Sequence, residues 1–116
     1  MQRSDMVERP KKFALRIIRL VNNLPNDKVG RTIGGQLLRA GTSIGANYRE
    51  ATRASTKKHF TSILTISLRE ADETLYWLEL LEESETIKAE LLAPLKKECD
   101  ELVAILAASV RTSRGQ

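Results

Sequence analysis

The chain has little of what most enzyme sites and secreted folds require. It holds one cysteine, Cys99, which excludes a disulfide framework and any site built from several thiolates. It holds one histidine, His59, which excludes a histidine-cluster metal site and a pair of histidines that share acid–base work. Three prolines exclude a proline-rich linker protein. We therefore expect a non-enzymatic protein without catalytic residues, a metal or a cofactor.

Long apolar runs and aromatic residues are also scarce. No apolar stretch approaches the roughly 18–20 residues of a membrane span. The charged N-terminus, MQRSDMVERPKK, is not followed by the apolar segment of a signal peptide. These absences predict a reduced, cytoplasmic protein without a membrane partner. Because aromatic residues make up only 4% of the chain, base stacking of the single-strand-binding kind is not expected.

What the chain does have is helical periodicity. With 116 residues, 41% of them hydrophobic and 29% charged, it has the length and composition of one globular domain. Apolar residues recur at helical spacing throughout, and alternating strand patterns are absent. The sequence therefore predicts an all-α fold, an antiparallel up-and-down four-helix bundle over residues 10–110. Residues 1–9 and 111–116 are predicted to be flexible.

Prolines and capping residues set the predicted helix limits. Pro10 is tolerated in the first turn of a helix, and the residue before Pro25 avoids the helical region. Asn26 or Asp27 caps the second helix, and Ser55 caps the third. The fourth helix follows Pro94, and a turn of helix at 87–92 ahead of it is an alternative. The predicted helices cover about 10–24, 27–54, 56–83 and 94–110.

The second helix carries four glycines on one side: Gly30, Gly34, Gly41 and Gly45. A glycine in a helix interior costs about 1 kcal/mol relative to alanine, so these positions require an explanation. We expect another backbone to approach closely there, along a long helix that is continuous or kinked. The alternative is a break in the helix, with residues 41–45 forming a loop.

The third helix is apolar well beyond the stripe that one bundle core needs. The extra apolar residues are Ile63, Ile66, Trp77 and Leu80. This width indicates a second contact, most simply with another subunit. Glu70 lies among these residues and needs a cationic partner, for which Arg39 or Arg53 is predicted.

The charge is distributed unevenly along the chain. The net charge is +4, yet residues 1–58 carry +9 and residues 59–92 carry −6. Basic residues at helical spacing form one row on the first helix and one on the second. If the rows lie side by side they suit a phosphate backbone; alternatively, the arginines pair with the acidic third helix. The predicted nucleic-acid-binding residues are Lys12, Arg16, Arg19, Arg31, Arg39, Arg49, Arg53 and Lys57.

Neither Cys99 nor His59 has the surroundings of a catalytic residue. Cys99 lies on the apolar seam of the fourth helix, so it is predicted to be a buried core residue. His59 follows two lysines at the start of the third helix, where a surface position is expected. A di-iron bundle needs Glu-x-x-His motifs, and the sequence contains none.

The stretch QLLRAGTSIGANYREATRASTKKHF, followed by ISLREADETLYWLELL, resembles the four-helix bundle protein family. This family is also called the 23S rRNA-intervening-sequence protein family, and the resemblance spans about residues 11–110. The segment after Leu24-Pro25 and the Tyr48-Arg49 pair depart from its usual pattern. The matching polar residues are Gln36, Arg39, Ser43, Asn47, Glu50, Arg53 and Glu70.

The resemblance implies a four-helix bundle that assembles into a ring, typically a homopentamer. Some members are encoded within intervening sequences of bacterial 23S rRNA genes, and similar bundles accompany diversity-generating retroelements with nucleic acid and a reverse transcriptase. No catalytic residues carry over. The matching polar residues form either a buried network that fixes helix register or subunit contacts, or a functional site. The resulting hypothesis is an oligomer that binds structured RNA; the alternative is a protein-interaction scaffold without nucleic-acid affinity.

Overall fold

Four antiparallel helices make up the fold. A computed structural model describes residues 3–115, with α1 (Arg3–Asn22), α2 (Lys28–Ala51), α3 (Lys57–Glu83) and α4 (Ala89–Ser113). Each helix packs on the next and α1 also contacts α4, which closes an up-and-down bundle 44 Å long. Residues 3–115 contain no strand, and none of their helices could cross a membrane. The predicted fold class is confirmed.

The core is a single apolar column to which all four helices contribute. Its largest fully buried side chains include Phe13, Ile17, Leu37, Ile44, Leu64, Leu78, Leu81, Leu92, Leu102 and Leu106. Two buried polar residues lie among them, and both are hydrogen-bonded. Ser67 Oγ donates to the Ile44 carbonyl at 2.8 Å, and Thr74 Oγ1 donates to the Glu70 carbonyl at 2.7 Å. The bond from Ser67 joins α3 directly to the backbone of α2.

The start of α1 was predicted too late. Pro10 is the eighth residue of the helix and not part of its first turn. Its side chain is buried against α2, where a Cβ at Gly45 would lie 3.2 Å from Pro10 Cβ. The helix begins at Arg3, and Met6 is buried in the core. Burial of Met6 explains why most of the segment predicted as flexible is helical; residues 1 and 2 lie outside the described residues.

The fourth helix is likewise longer than predicted at both ends. Pro94 is its sixth residue, so the alternative turn of helix before this proline belongs to α4 itself. Leu92 and Val110 continue its buried stripe. At the far end, Thr61 Oγ1 on α3 lies 2.8 Å from Ser113 Oγ. These contacts extend the helix into the segment 111–116, of which residue 116 lies outside the described residues.

Helix α2 continues without a break through residues 41–45, so the predicted alternative of a loop is wrong. A Cβ at Gly41 would lie 3.0 Å from the side chain of Ile17, and one at Gly45 would lie 3.5 Å from the backbone nitrogen of Lys11. The approach of another backbone that the glycines predict is confirmed at Gly45, whereas at Gly41 the nearest atoms belong to the Ile17 side chain. The absence of side chains at these positions lets α1 lie against α2, which keeps the segment helical.

The limits of the first two turns differ from their predictions by one to three residues. Asp27, one of two predicted caps, accepts a hydrogen bond from the Gly30 backbone N–H at 2.8 Å. Helix α2 ends at Ala51, so Arg53 lies in the following turn. Thr56 caps α3 by accepting from the His59 backbone N–H at 3.1 Å, whereas Ser55 was predicted. Both hydroxyl residues can cap a helix, and the turn conformation selects the second.

Candidate nucleic-acid interface

The charge asymmetry of the sequence becomes a polarity along the bundle. The half that contains the α2–α3 turn consists of residues 3–12, 40–70 and 101–115, and it holds eleven basic and five acidic residues. The other half consists of residues 13–39 and 71–100 and holds eight basic and ten acidic residues. We call these the basic half and the acidic half. A surface with an excess of positive charge attracts polyanions in general.

Arg39 is one of the predicted binding residues, but its charge is engaged within the chain. Its Nη1 donates to Glu70 Oε2 on α3 at 3.0 Å, and its Nη2 donates to Glu73. Trp77 Nε1 also donates to Glu73 Oε2, at 3.0 Å. The hydrogen bond with Glu73 is the main cause that raises the pKa of Arg39. Of the two predicted partners for Glu70, Arg39 is therefore the correct one.

The basic row on α1 consists of Arg9, Lys12, Arg16 and Arg19. The charge of Arg9 is also paired within the chain. Its guanidinium donates to both oxygens of Glu98 on α4, at 2.6 and 3.0 Å, and to Glu101 at 3.1 Å. The hydrogen bond to Glu98 is the largest influence on the pKa of Arg9, which is raised. The α1 row thus borders α4, whereas Arg39 borders α3. Because α1 meets α2 through other positions, the two rows lie on opposite flanks of the pair and not side by side.

The other predicted binding residues make no ion pair with any described residue. They are Lys12, Arg16, Arg19, Arg31, Arg49, Arg53 and Lys57. Arg49, Arg53 and Lys57 are exposed and meet around the α2–α3 turn, at the end of the basic half. Arg19 and Arg31 lie in the acidic half, far from this turn. The structure thus divides the predicted set into a cluster of three and scattered members.

A groove between α3 and the end of α4 joins the predicted Lys57 to three basic residues outside the predicted set. Its volume is about 730 Å³, and its cations are Lys57, Lys58, Arg69 and Arg114. We call it the α3–α4 groove. No carboxylate from residues 3–115 lines it. Lys58 beside Lys57 was a visible signal, but Arg69 lies in an acidic stretch and Arg114 in a segment predicted to be flexible.

The polar residues that match the family pattern lie along α2 and its border with α3. None of the seven is buried within the chain, so they do not form a buried network there. Arg39 links Gln36 Oε1, at 3.4 Å, to Glu70. Ser43 and Asn47 bond to backbone carbonyls one turn earlier in their own helix. The exposed face of α2 and α3 therefore presents most of the matching residues to solvent.

The single cysteine and the single histidine lie where the sequence predicted them. Cys99 is buried on α4, and its Sγ donates to the Ala71 carbonyl at 3.3 Å. Burial raises the pKa of the Cys99 thiol to about 12, so the thiol stays protonated at neutral pH. His59 is exposed in the first turn of α3. Residues 3–115 bring together no group of three or more His, Cys, Asp or Glu side chains that could hold a metal ion.

Comparison with known proteins adds a family and a structural relative. The family described as 23S rRNA-intervening sequence protein matches residues 2–108. A similar crystal structure comes from Bacteroides thetaiotaomicron and is described as a protein of unknown function from the S23 ribosomal protein family. It is 38% identical, has a TM-score of 0.86, and the match covers 91% of this chain and 98% of that chain. No curated protein matches the sequence.

Proposed function

The chain belongs to the family of 23S rRNA-intervening sequence proteins, and we propose that it is a non-enzymatic, oligomeric bundle that binds nucleic acid, in particular structured RNA. The observation that carries this proposal is the cluster of exposed cations at the α2–α3 turn. Arg49, Arg53 and Lys57 have no acidic partner within the described chain. Ion pairs across helices engage three other cations, Arg9, Arg39 and Lys96, so their charges are less available to a polyanion.

A surface of this kind favours the phosphate backbone over the bases. Phosphate contacts from lysine and arginine supply most of the sequence-independent affinity for nucleic acid. With two phenylalanines, two tyrosines and one tryptophan in the chain, there are few side chains on which bases could stack. We therefore expect recognition of shape and charge. A cytoplasmic location would give the protein access to RNA.

A non-enzymatic role is supported by the buried state of the single thiol. A nucleophilic cysteine requires a lowered pKa and an accessible, electropositive site. Cys99 has the opposite properties, since it is buried and its pKa is raised to about 12. His59 is exposed in the first turn of α3, whereas the thiol lies on α4, forty residues later in the sequence.

Oligomerisation is supported by the apolar residues on the outer side of α3. Tyr76 is 52% exposed, and Trp77 and Leu80 near it on α3 are half-buried, whereas Ile66, which is 42% exposed, lines the α3–α4 groove. Ile63, which was also expected on this surface, is buried in the core. A homopentamer, which the resemblance implies, would bring five basic halves close together. A protein partner such as a reverse transcriptase is a further proposal of the same origin.

Light scattering tests the oligomer. The proposal predicts a mass several times 13.0 kDa at micromolar concentration. Replacing Tyr76 with serine should lower that mass without unfolding the protein, because this side chain is exposed. A wild-type mass of one chain would contradict this part of the proposal.

Charge reversal tests the binding surface. The triple variant Arg49→Glu, Arg53→Glu and Lys57→Glu should bind a structured RNA more weakly and with a flatter salt dependence. The matched control reverses three exposed lysines of the acidic half: Lys28, Lys88 and Lys97. Equal losses in both variants would contradict a site at the α2–α3 turn. Absence of wild-type binding at low salt would favour the scaffold function.

A further inference from the structure

We propose that the α3–α4 groove holds one strand of the phosphodiester backbone of a double-stranded nucleic acid. This inference rests on the proposed function and extends its site from the α2–α3 turn along α3. The groove begins at Lys57, which also belongs to the cation cluster at the turn. The two surfaces are therefore continuous.

The groove collects cations from distant parts of the chain. Lys58 and Arg69 lie on α3, and Arg114 follows the last residue of α4. None of the three forms an ion pair with a described residue. By contrast, Lys96 of the acidic half is paired with Glu82 at 2.9 Å. Exposed cations along a groove that no described carboxylate lines give it a positive potential, which attracts an anionic ligand.

Hydroxyl groups line the groove between its cations. Thr61 and Ser113 lie at the junction of the two helices, with their oxygens 2.8 Å apart. Ser62 is exposed on the groove wall, and its hydroxyl has no hydrogen-bond partner among residues 3–115. Hydroxyl side chains commonly donate to phosphate oxygens and fix the position of a duplex. The groove therefore offers neutral donors together with its positive charge.

The dimensions of the groove favour a polymer over a small anion. Lys58 and Arg69 are eleven residues apart on one helix, which corresponds to about 16 Å at the helical rise of 1.5 Å per residue. That distance corresponds to about five base-pair steps of 3.4 Å along the axis of a DNA duplex. The groove is open to solvent, whereas small-ligand sites enclose most of their ligand.

The residues of the groove also favour a duplex over a single strand. No aromatic side chain from the described residues lines it, and Ile66 is its main apolar residue. Proteins that hold single strands stack bases on aromatic side chains, which this groove lacks. Asp72 and Glu73, about one turn beyond Arg69, form part of a neighbouring acidic surface and limit the length of the contact.

The test uses the full-length protein with duplexes of about 20 base pairs and the matching single strand as probes. The groove variant combines Lys58→Gln, Arg69→Gln and Arg114→Gln, all exposed residues outside ion pairs. The control variant combines Lys28→Gln, Lys88→Gln and Lys97→Gln and loses the same charge. At about 50 mM salt we expect the groove variant to lose at least about tenfold in duplex affinity. Its slope of log affinity against log salt should be less steep by about 2.7, which is about 0.9 for each of the three lost contacts with DNA.

The outcomes separate this inference from the proposed function. If the wild type binds duplexes and the groove and control variants bind equally well, the groove is excluded while nucleic-acid binding stands. If the groove variant loses single-strand and duplex binding equally, the assignment to a duplex is wrong. If the wild type binds neither probe at low salt, both the proposed function and the groove are overturned. Thermal unfolding of all three proteins should be the same, which excludes a folding defect.

Discussion

Arg39 on α2 and Glu70 on α3 form an ion pair across two helices, with Nη1 3.0 Å from Oε2. The same guanidinium also donates to Glu73, and Glu73 accepts a second hydrogen bond from Trp77. The residues of this group come from two neighbouring helices at the middle of the bundle. Their arrangement assigns Arg39 to the joining of α2 and α3, although its position in the sequence also suited a phosphate contact.

Replacing Arg39 should therefore affect stability more than binding. We expect Arg39→Gln to lower the thermal midpoint at low salt, and the difference should shrink as salt screens this exposed pair. Duplex affinity should stay within about twofold of the wild type. The matched variant Arg49→Gln should show the reverse, with an unchanged midpoint and up to about tenfold weaker binding at 50 mM salt. Calorimetry and fluorescence anisotropy on the two variants provide the comparison.

Glu73 should make the stability of the bundle depend on pH. The hydrogen bond from Trp77, followed by that from Arg39, lowers the pKa of Glu73 below its ordinary value of 4.5. A carboxylate with a lowered folded-state pKa stabilises the protein above its unfolded-state pKa and loses that contribution as the pH falls. Glu73→Gln should therefore be less stable than the wild type at pH 7, and the difference should diminish below about pH 4. A difference in thermal midpoint that does not change with pH would contradict this role.

The glycines of α2 should respond differently to the same substitution. A Cβ at Gly41 would lie 3.0–3.3 Å from three atoms of the buried Ile17, whereas a Cβ at Gly35 would meet no atom within 4 Å. Gly35→Ala should stabilise the protein by up to about 1 kcal/mol through helix propensity. Gly41→Ala should be less stable than Gly35→Ala, because a β-branched side chain in the core cannot easily move. Urea unfolding of both variants measures the difference, and equal stabilities would contradict the close contact of α1 and α2.

The thiol of Cys99 should be inert in the folded protein. It is buried, and its pKa is raised to about 12, so almost no thiolate exists near pH 8. We expect a disulfide reagent to react with it only as fast as the bundle opens, and to react at once in denaturant. Cys99→Ala should leave nucleic-acid binding unchanged. Rapid labelling of the native protein would place the thiol at the surface and contradict the packing of α4.

Periodicity predicted the four helices and their order, but the prolines gave wrong starting points. Pro10 and Pro94 were each assigned to the beginning of a helix, and each lies inside one. Local rules place proline in the first turn of a helix. They contain no information about the burial of Met6 and Leu92, which precede the two prolines in the sequence. These helix ends depend on tertiary contacts, which the local pattern cannot reveal.

The candidate site was predictable only in part. The pairing of Glu70 with Arg39 followed from an acidic residue among apolar ones, and it is confirmed. The pairing of Arg9 with Glu98 joins residues 89 positions apart, and it shows that the α1 row borders α4 and not the row on α2. The α3–α4 groove forms because Arg114, at the end of α4, lies near the first half of α3. Contacts between distant segments determine which cations remain unpaired, so charge spacing alone overestimates the binding surface.

The most direct test is the salt dependence of wild-type binding to a duplex RNA. Anisotropy titrations between about 50 and 200 mM salt give log affinity against log salt, and the slope counts the phosphates contacted. The account predicts saturable binding whose logarithm falls linearly with a slope of about −5, because the cluster Arg49, Arg53 and Lys57 and the groove cations Lys58, Arg69 and Arg114 supply six contacts at about 0.9 each, the value for a DNA duplex. Absence of binding at the lowest salt, or an affinity independent of salt, would contradict nucleic-acid binding by this protein.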